Sequence, residues 1–153
     1  MRKVIDLLEE PRGEIYARLL GLAETEASEA YLIVRSSLPL SERAKAALEQ
    51  LEPHQVAVRT TSAWPGTTLG GGSALMFMYR MSPALASTLR LAADGLYDWQ
   101  QPDLPEDLGF IRPDGSVWLA SIAHERDAYF ELSDEEAKDL FDRLPELSDA
   151  IND

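Results

Sequence analysis

The stretch LGFIRPDGSVWLASIAHERDAYFEL, residues 108–132, decides the fold class. It contains three runs of residues that favour β-strands, separated by two short breaks. The first break, Pro113-Asp114-Gly115, is typical of a tight turn, because proline fixes φ and glycine tolerates a positive φ. We therefore predict strands at 108–112, 116–122 and 128–132. Three consecutive strands with short connections predict an antiparallel meander in this half of the chain.

Helical and strand patterns alternate in the residues before the meander. Apolar residues spaced three or four apart predict four helices, which begin near Val4, near Ile15, after the N-cap Ser41 and after the N-cap Ser82. Runs of β-branched and aromatic residues predict a buried strand at 31–35, a half-buried strand at 56–61 and a further strand at 75–81. After the meander, Ser133 and Glu136 have the spacing of a capping box, which predicts the start of a fifth helix.

These patterns predict the fold class α+β, with a mostly antiparallel sheet of about six strands covered by about five helices. A chain of 153 residues has the usual size of one domain, and we expect residues 1–153 to form a single α+β domain. Apolar residues make up 45% of the chain, which is ordinary for a globular protein. The chain has no cysteine, so disulfides, thiolate zinc sites and cysteine nucleophiles are excluded.

The acidic residues are concentrated toward one end of the chain. The chain has 27 acidic and 14 basic residues and a formal net charge of −13. Residues 1–93 contain ten of each sign, whereas residues 94–153 contain seventeen acids and four bases. This charge excludes a nonspecific nucleic-acid binder and favours a basic protein partner that docks on the acidic C-terminal region. The alternative is an acidic face that only keeps the protein in solution.

One segment of the acidic region interleaves aromatic and acidic residues. Aromatic side chains are enriched at protein interfaces, and carboxylates beside them attract a basic surface. We therefore predict five contact residues for the basic partner: Asp98, Trp99, Asp103, Glu106 and Asp107. The alternative is a segment that anchors in the core and leaves acidic loop residues around it.

The four residues His124-Glu125-Arg126-Asp127 are the densest group of titratable side chains. A histidine beside carboxylates can act in acid–base catalysis or bind a metal ion. As the alternative to an interaction domain, this motif predicts a small enzyme or a ligand-binding or metal-binding protein that uses His124, Glu125 and Asp127. A polar turn explains the same residues without any chemistry, because adjacent strand residues point to opposite faces. We assign no catalytic residue, no metal ligand and no cofactor from this pattern.

The run GTTLGGGS, residues 66–73, shares only its glycines with a phosphate-binding loop. A Walker loop requires Gly-Lys-Ser/Thr at the start of a helix, whereas this run has no lysine and precedes a strand pattern. We expect residues 62–73 to form a flexible hairpin connection between two strands; the alternative is a mobile lid or a partner-contacting tip at Trp64 and the threonines.

The run PEDLGFIRPDGSVWLASIAHE, residues 105–125, resembles a segment of small bacterial proteins of uncharacterised activity. The shared features are Pro-Glu-Asp-Leu before a strand, Asp-Gly in the turn, Trp118, and His124-Glu125 at the end of the next strand. The resemblance covers about a seventh of the chain and carries no established activity with it. In size and charge the chain is also similar to small acidic bacterial immunity proteins and inhibitors.

The sequence therefore predicts a non-enzymatic interaction domain of the immunity or inhibitor type. We expect it in the cytoplasm, because acids crowd the first thirty residues and the longest uncharged apolar stretch, 74–79, is too short to span a bilayer. We expect neither nucleic acid nor membrane among its partners. The oligomeric state stays open, since the methionine-rich run 74–79 suits a core strand and also a contact between copies.

Overall fold

The computed structural model describes the backbone of residues 1–150 and the side chains of residues 1–147. Nine strands lie in this part of the chain: β1 (Lys3–Asp6), β2 (Glu29–Arg35), β3 (Gln55–Thr61), β4 (Ala63–Trp64), β5 (Thr67–Thr68), β6 (Ala74–Arg80), β7 (Glu106–Ile111), β8 (Val117–Ile122) and β9 (Asp127–Leu132). Four α-helices lie between them: α1 (Glu14–Glu26), α2 (Glu42–Leu51), α3 (Pro83–Ala92) and α4 (Asp134–Arg143). Short 3-10 segments occur at Glu52–His54, Leu96–Asp98, Ala123–Glu125 and Pro145–Ala150.

Seven of the strands form one sheet in the order β1-β9-β8-β7-β2-β6-β3, and every neighbouring pair is antiparallel. β4 and β5 form a separate hairpin. The predicted α+β class with a mostly antiparallel sheet is confirmed, and β7, β8 and β9 are the predicted meander. The predicted counts are wrong, because the described residues form seven plus two strands and four α-helices.

The predicted first helix is a strand. β1 pairs with β9, and Ile5 lies opposite Phe130. Ile5 is buried whereas its neighbour Val4 is 57% exposed, which is the two-residue period of a strand. Apolar residues at positions 4, 5 and 8 also fit a helical spacing. The backbone hydrogen bonds to β9 favour the strand over the helix. The segment before Pro11 is also too short for a stable isolated helix.

All four helices pack on one face of the sheet. Buried residues of every helix join apolar residues of the sheet in one large core cluster. Near its centre the Trp118 ring lies edge-on to two phenylalanine rings, with centroid distances of 6.1 Å to Phe110 and 5.2 Å to Phe130. This helix-side core is the main apolar interior of the molecule.

The opposite face of the sheet is covered in part by the β4–β5 hairpin. A second apolar cluster lies under the hairpin and contains six buried residues: Tyr31, Ile33, Trp64, Ala74, Met76 and Met78. Gly109 of β7 leaves room for this cluster, because a Cβ at that position would overlap the Tyr31 ring. The hairpin turn also packs on the sheet, since a Cβ on Gly66 would lie 2.7 Å from Ile122 Cδ1. The predicted flexible connection at residues 62–73 therefore contains a hairpin whose turn packs against the sheet.

β3 forms where a strand is predicted, but it is not half-buried. It is the last strand of the sheet and pairs only with β6. Six of its seven residues are exposed, and Thr61 is intermediate. The alternation of apolar and polar residues at 56–61 is typical of a strand with one buried face, but in the described structure no element covers either face of β3 well enough to bury it.

The predicted helix caps are confirmed. The hydroxyl oxygens of Ser41, Ser82 and Ser133 each accept the backbone N–H of the third residue after them. Glu136 completes the capping box, because its carboxylate accepts the backbone N–H of Ser133 at 2.8 Å. None of the helices in the described part of the chain is long and apolar enough to cross a lipid bilayer.

Candidate functional site

A polar cluster lies under the hairpin where β2 and β7 pair. Arg35 ends β2, and Glu106 and Asp107 begin β7. The register of the two strands shifts between Tyr31 and Ile33, and Asp107 in this irregular stretch has a positive φ of 56°. Arg35 Nε lies 2.9 Å from Glu106 Oε2, and Arg35 Nη2 lies 3.9 Å from Asp107 Oδ2. With Trp64, these three residues form what we call the Arg35 cluster.

Asp107 is the most connected residue of the Arg35 cluster. Its side chain is fully buried, and its two oxygens accept hydrogen bonds from different elements. Oδ2 accepts the indole N–H of Trp64 at 2.9 Å, and Oδ1 accepts the backbone N–H of Ala123 at 2.9 Å. The Arg35 guanidinium lies 5.2 Å from the centroid of the Trp64 ring. One carboxylate therefore holds together the hairpin, the turn after β8 and the start of β7.

Glu106 connects the same cluster to the segment before β7. Its side chain is 2% exposed, and Oε1 accepts the backbone N–H of Gln101 at 3.3 Å. The Gln101 amide in turn accepts the backbone N–H of Arg35 at 2.7 Å. Burial raises the pKa of both Glu106 and Asp107, whereas the positive charge of Arg35 lowers it. The net result is a pKa above the ordinary value for both carboxyl groups, which share the one arginine of the cluster.

His124 is the exposed neighbour of these two carboxylates. Possible ligand atoms of Glu106, Asp107 and His124 lie within 4.8 Å of one another, and carboxylate and imidazole groups are common metal ligands. The carboxylates are buried, however, and they already face Arg35. A cation that bound here would have to displace the guanidinium.

Three of the five predicted contact residues are buried. Trp99 lies in the helix-side core and donates its indole N–H to the Tyr16 hydroxyl at 2.9 Å. Glu106 and Asp107 belong to the Arg35 cluster, with exposed fractions of 2% and 0%. Buried side chains cannot touch a partner at the surface of this structure, so the contact role predicted for these three residues is corrected. Their burial agrees with the alternative interpretation, in which this segment is anchored in the interior of the molecule.

The remaining two predicted contact residues are Asp98 and Asp103. The Asp98 carboxylate accepts the backbone N–H groups of Asp94 and Gly95, and it pairs with Arg12 at 2.9 Å. Asp103 is exposed and has no ion pair among the described residues. The predicted acidic patch is therefore reduced to one exposed carboxylate without a partner and a second one that caps its own turn.

The predicted catalytic alternatives follow the end of β8. All four residues of the motif at 124–127 are exposed, and a 3-10 turn at Ala123–Glu125 followed by a left-handed Arg126 (φ 52°) makes this a tight turn. Arg126 pairs with Glu10 at 3.2 Å. Glu125 and Asp127 have no ion pair within the described structure. Of the predicted catalytic residues, only His124 joins the group of candidate metal ligands.

A second candidate site lies between α1 and α4. A pocket of about 190 Å³, which we call the acidic groove, is lined by Leu22, Glu26, Trp118, Glu135, Glu136, Asp139, Leu140 and Arg143. Trp118 and Leu140 are buried, so these residues give the groove an apolar floor below its carboxylates. Pockets for drug-sized ligands measure roughly 300–1,000 Å³. The acidic groove is therefore of a size that suits one side chain of a partner.

Two of the four carboxylates in the acidic groove already have cationic partners. Glu136 accepts hydrogen bonds from Arg2 at 3.0 and 3.2 Å, and Asp139 pairs with Arg143 at 3.2 Å. The groove carboxylates without an ion pair among the described residues are Glu26 and Glu135. Glu26 is half-buried and Glu135 is exposed. The groove therefore retains negative charge at its rim.

The acidic residues of the C-terminal region are only partly opposed by bases from residues 1–93. The ion pairs between bases of residues 1–93 and acids of the C-terminal region are Arg2–Asp114, Arg2–Glu136, Lys3–Asp134, Arg12–Asp98, Arg18–Glu146, Arg35–Glu106 and Arg35–Asp107. Residues 127–147, which form β9 and α4, still contain eight acids and two bases. Residues 42–61 and 74–80, which form α2, β3 and β6 at the other end of the sheet, contain three acids and four bases. The side chains of Asp149 and Asp153 lie outside the described part.

Sequence reasoning missed Arg35 and the α1 side of the acidic groove. It considered Trp64 for a mobile lid or contact tip, whereas the side chain is buried and donates its indole N–H to Asp107. An arginine that ends an otherwise apolar strand is a signal for a buried acidic partner, because a charge next to the core must be paired. The contribution of Glu26 has no comparable signal, since it depends on how α1 lies against α4.

Comparison of the chain with protein-family models, with curated protein sequences and with solved structures returns no match. The function is therefore argued from the geometry of the Arg35 cluster and of the acidic groove.

We expect Asp107→Asn to lower the free energy of unfolding by about 1–3 kcal/mol. The asparagine oxygen can accept only one of the two N–H groups that Asp107 binds, and its amide group then faces the other donor. Urea unfolding followed by circular dichroism measures the change. Asp103→Asn, at an exposed carboxylate, is the matched control and should stay within about 0.5 kcal/mol of wild type. Equal stability of Asp107→Asn and wild type would contradict this account of the cluster.

Stability should depend on pH through Glu136. Hydrogen bonds from Arg2 hold the pKa of Glu136 at about 2, below its ordinary value of 4.5. A carboxyl group whose pKa is lower in the folded chain stabilises the fold above pH 4.5, and this contribution is lost as the pH falls from 4.5 through 2. Glu136→Gln should therefore be less stable than wild type at neutral pH, and the difference should shrink in acid.

Urea midpoints across this pH range measure the difference between Glu136→Gln and wild type. Glu49→Gln removes a charge from an exposed glutamate without an ion pair in the described residues, and it is the matched control. A deficit of Glu136→Gln that is the same at every pH would show that the ion pair with Arg2 is not its cause.

Proposed function

We propose that this chain is a non-enzymatic interaction domain of the immunity or inhibitor type, and that it binds a basic protein partner at the acidic groove. The observation that carries the proposal is an apolar floor below two carboxylates, Glu26 and Glu135, that have no ion pair among the described residues. A lysine or arginine side chain is complementary to such a pocket, because its stem is apolar and its end is charged. The proposed contact surface is therefore the groove between α1 and α4, and not the segment 98–107 predicted from the sequence.

The charge around the groove supports the same partner. Residues 127–147 carry eight acids and two bases, and α4 supplies part of the groove wall. A local excess of negative charge attracts a basic surface over several ångströms and increases the association rate at low salt. Binding at the groove should therefore weaken as the salt concentration rises.

A tri-lysine peptide is a suitable first probe, with amide shifts of the full chain followed by NMR. We expect the largest shifts at the groove residues of α1 and α4. Glu135→Lys should weaken binding severalfold, or by about 1 kcal/mol, because one attractive contact becomes repulsive. Glu49→Lys makes the same change of charge on α2, away from the groove, and should bind the peptide nearly as well as wild type.

Two outcomes would contradict the proposal. Equal weakening by Glu135→Lys and Glu49→Lys would mean that only the net charge attracts the peptide. Shifts spread over all acidic surfaces, with none concentrated at α1 and α4, would have the same meaning.

A second candidate function is that of a metal-binding protein or small enzyme that uses His124. It is favoured by the grouping of His124 with Glu106 and Asp107 within 4.8 Å. It is the weaker candidate, because the same carboxylates face Arg35 and their side chains are buried. Binding of a cation would need a rearrangement of the Arg35 cluster, whereas the acidic groove is already open to solvent.

Titration with Zn²⁺ and with Mn²⁺ distinguishes the two candidates. If His124 is a ligand, metal should raise the thermal unfolding midpoint of wild type and of the matched control Glu125→Ala, and His124→Ala should lose this response. The absence of any response in wild type, or an equal response in His124→Ala, would remove the metal-binding candidate.

A further inference from the structure

β3 presents a free edge of the sheet. It pairs with β6 on one side, and no strand of the described residues pairs with it on the other. It is seven residues long, QVAVRTT, with one charged residue and no proline. Natural sheets usually protect an edge with a short strand, charges or proline. The other edge strand, β1, is protected in this way, because it has only four residues and a charged residue at each end.

Exposed apolar side chains are concentrated at the β3 edge. Three large apolar residues lie there with exposed fractions of 40–45%: Val56, Val58 and Leu75. Leu75 lies on β6 directly opposite Thr60 of β3, so it extends the apolar surface behind the edge. An edge that is both unpaired and apolar is a template for the addition of another strand.

The charges near this edge favour a second copy of the same chain as the occupant. Residues 42–61 and 74–80, which include α2, β3 and β6, contain three acids and four bases, so two copies do not repel each other at this surface. The acidic α4 packs against β9, which lies five strands away from β3 in the sheet order. With about 4.8 Å between neighbouring strands, each acidic end is roughly 24 Å from the edge. That distance exceeds the Debye length of about 8 Å at physiological salt.

We propose that β3 pairs antiparallel with β3 of a second copy, so that two seven-stranded sheets join into one across a two-fold axis. The axis passes at Val58, which places the two Val58 side chains opposite each other and Arg59 opposite Ala57 of the second copy. This register sets no pair of like charges opposite each other, whereas an axis at Arg59 would oppose two arginines. The contact is isologous, as a closed dimer requires. One strand pair is a small interface, so the dimer depends on concentration.

Sedimentation equilibrium of the full chain tests the proposal. The mass should rise from 17.0 kDa toward twice that value as the concentration increases. Val58→Lys should keep the chain at 17.0 kDa, because the two-fold axis would bring two lysines together. Val4→Lys makes the same substitution at an exposed position of the other sheet edge, and it should dimerise like wild type. Circular dichroism of both variants shows that the fold is kept.

A cysteine at position 58 gives an independent readout, because the chain has no cysteine of its own. Under mild oxidation Val58→Cys should form a disulfide-linked dimer, and Val4→Cys should not. A wild-type chain that is monomeric at every concentration overturns the proposal, and so does equal behaviour of the variants at positions 4 and 58. If the wild-type chain is monomeric and an added extended peptide shifts the NMR signals of its β3 amides, the edge binds a strand of another protein.

The proposed dimer and the proposed peptide binding at the acidic groove can be tested independently of each other. Higher salt screens the repulsion between two chains of net charge −13 and should leave the dimer unchanged or stronger. The same change weakens the binding of the tri-lysine peptide. Val58→Lys should keep the groove intact, and Glu135→Lys should keep the dimer.

Discussion

The buried pairing of Arg35 with Glu106 and Asp107 is the interaction on which the other parts of the structure depend. β2 lies between β6 and β7, and its last residue meets the first two residues of β7. Asp107 also anchors the hairpin through Trp64 and the turn after β8 through Ala123. Removal of one partner from a buried ion pair leaves an unopposed charge, which typically costs about 3–5 kcal/mol. Four separate segments therefore share one electrostatic constraint.

Local signals in the sequence predicted most of the fold. The caps at Ser41, Ser82 and Ser133 and the meander at 108–132 depend on neighbouring residues, and the structure has them where they were expected. β1 was not predicted, because its partner β9 lies more than 120 positions away. Short apolar spacings fit both periodicities, so only the long-range pairing distinguishes strand from helix.

The candidate site was harder to predict than the fold. Glu106 and Asp107 look like surface acids in the sequence, and Trp99 beside acids looks like an interface residue. Their burial follows from contacts with residues far along the chain, Arg35 and Tyr16, which no local pattern reports. The asymmetry of charge was visible in the sequence, but the pairing of bases from residues 1–93 with C-terminal acids was not. Of the acids in α4, only Glu135 has no ion pair among the described residues, and it lines a groove to which α1 also contributes.

The pairing of β1 with β9 has a consequence for how the chain is made. Strands β2, β3 and β6 all lie within the first 80 residues, so they can associate while the ribosome is still translating the rest. Lys3 leaves the ribosome 129 residues before its partner Leu132. β1 is thus synthesised long before its partner strand exists, and long-range closure of this kind slows folding. A strand of four residues with a charge at each end tolerates that interval in water without recruiting another chain.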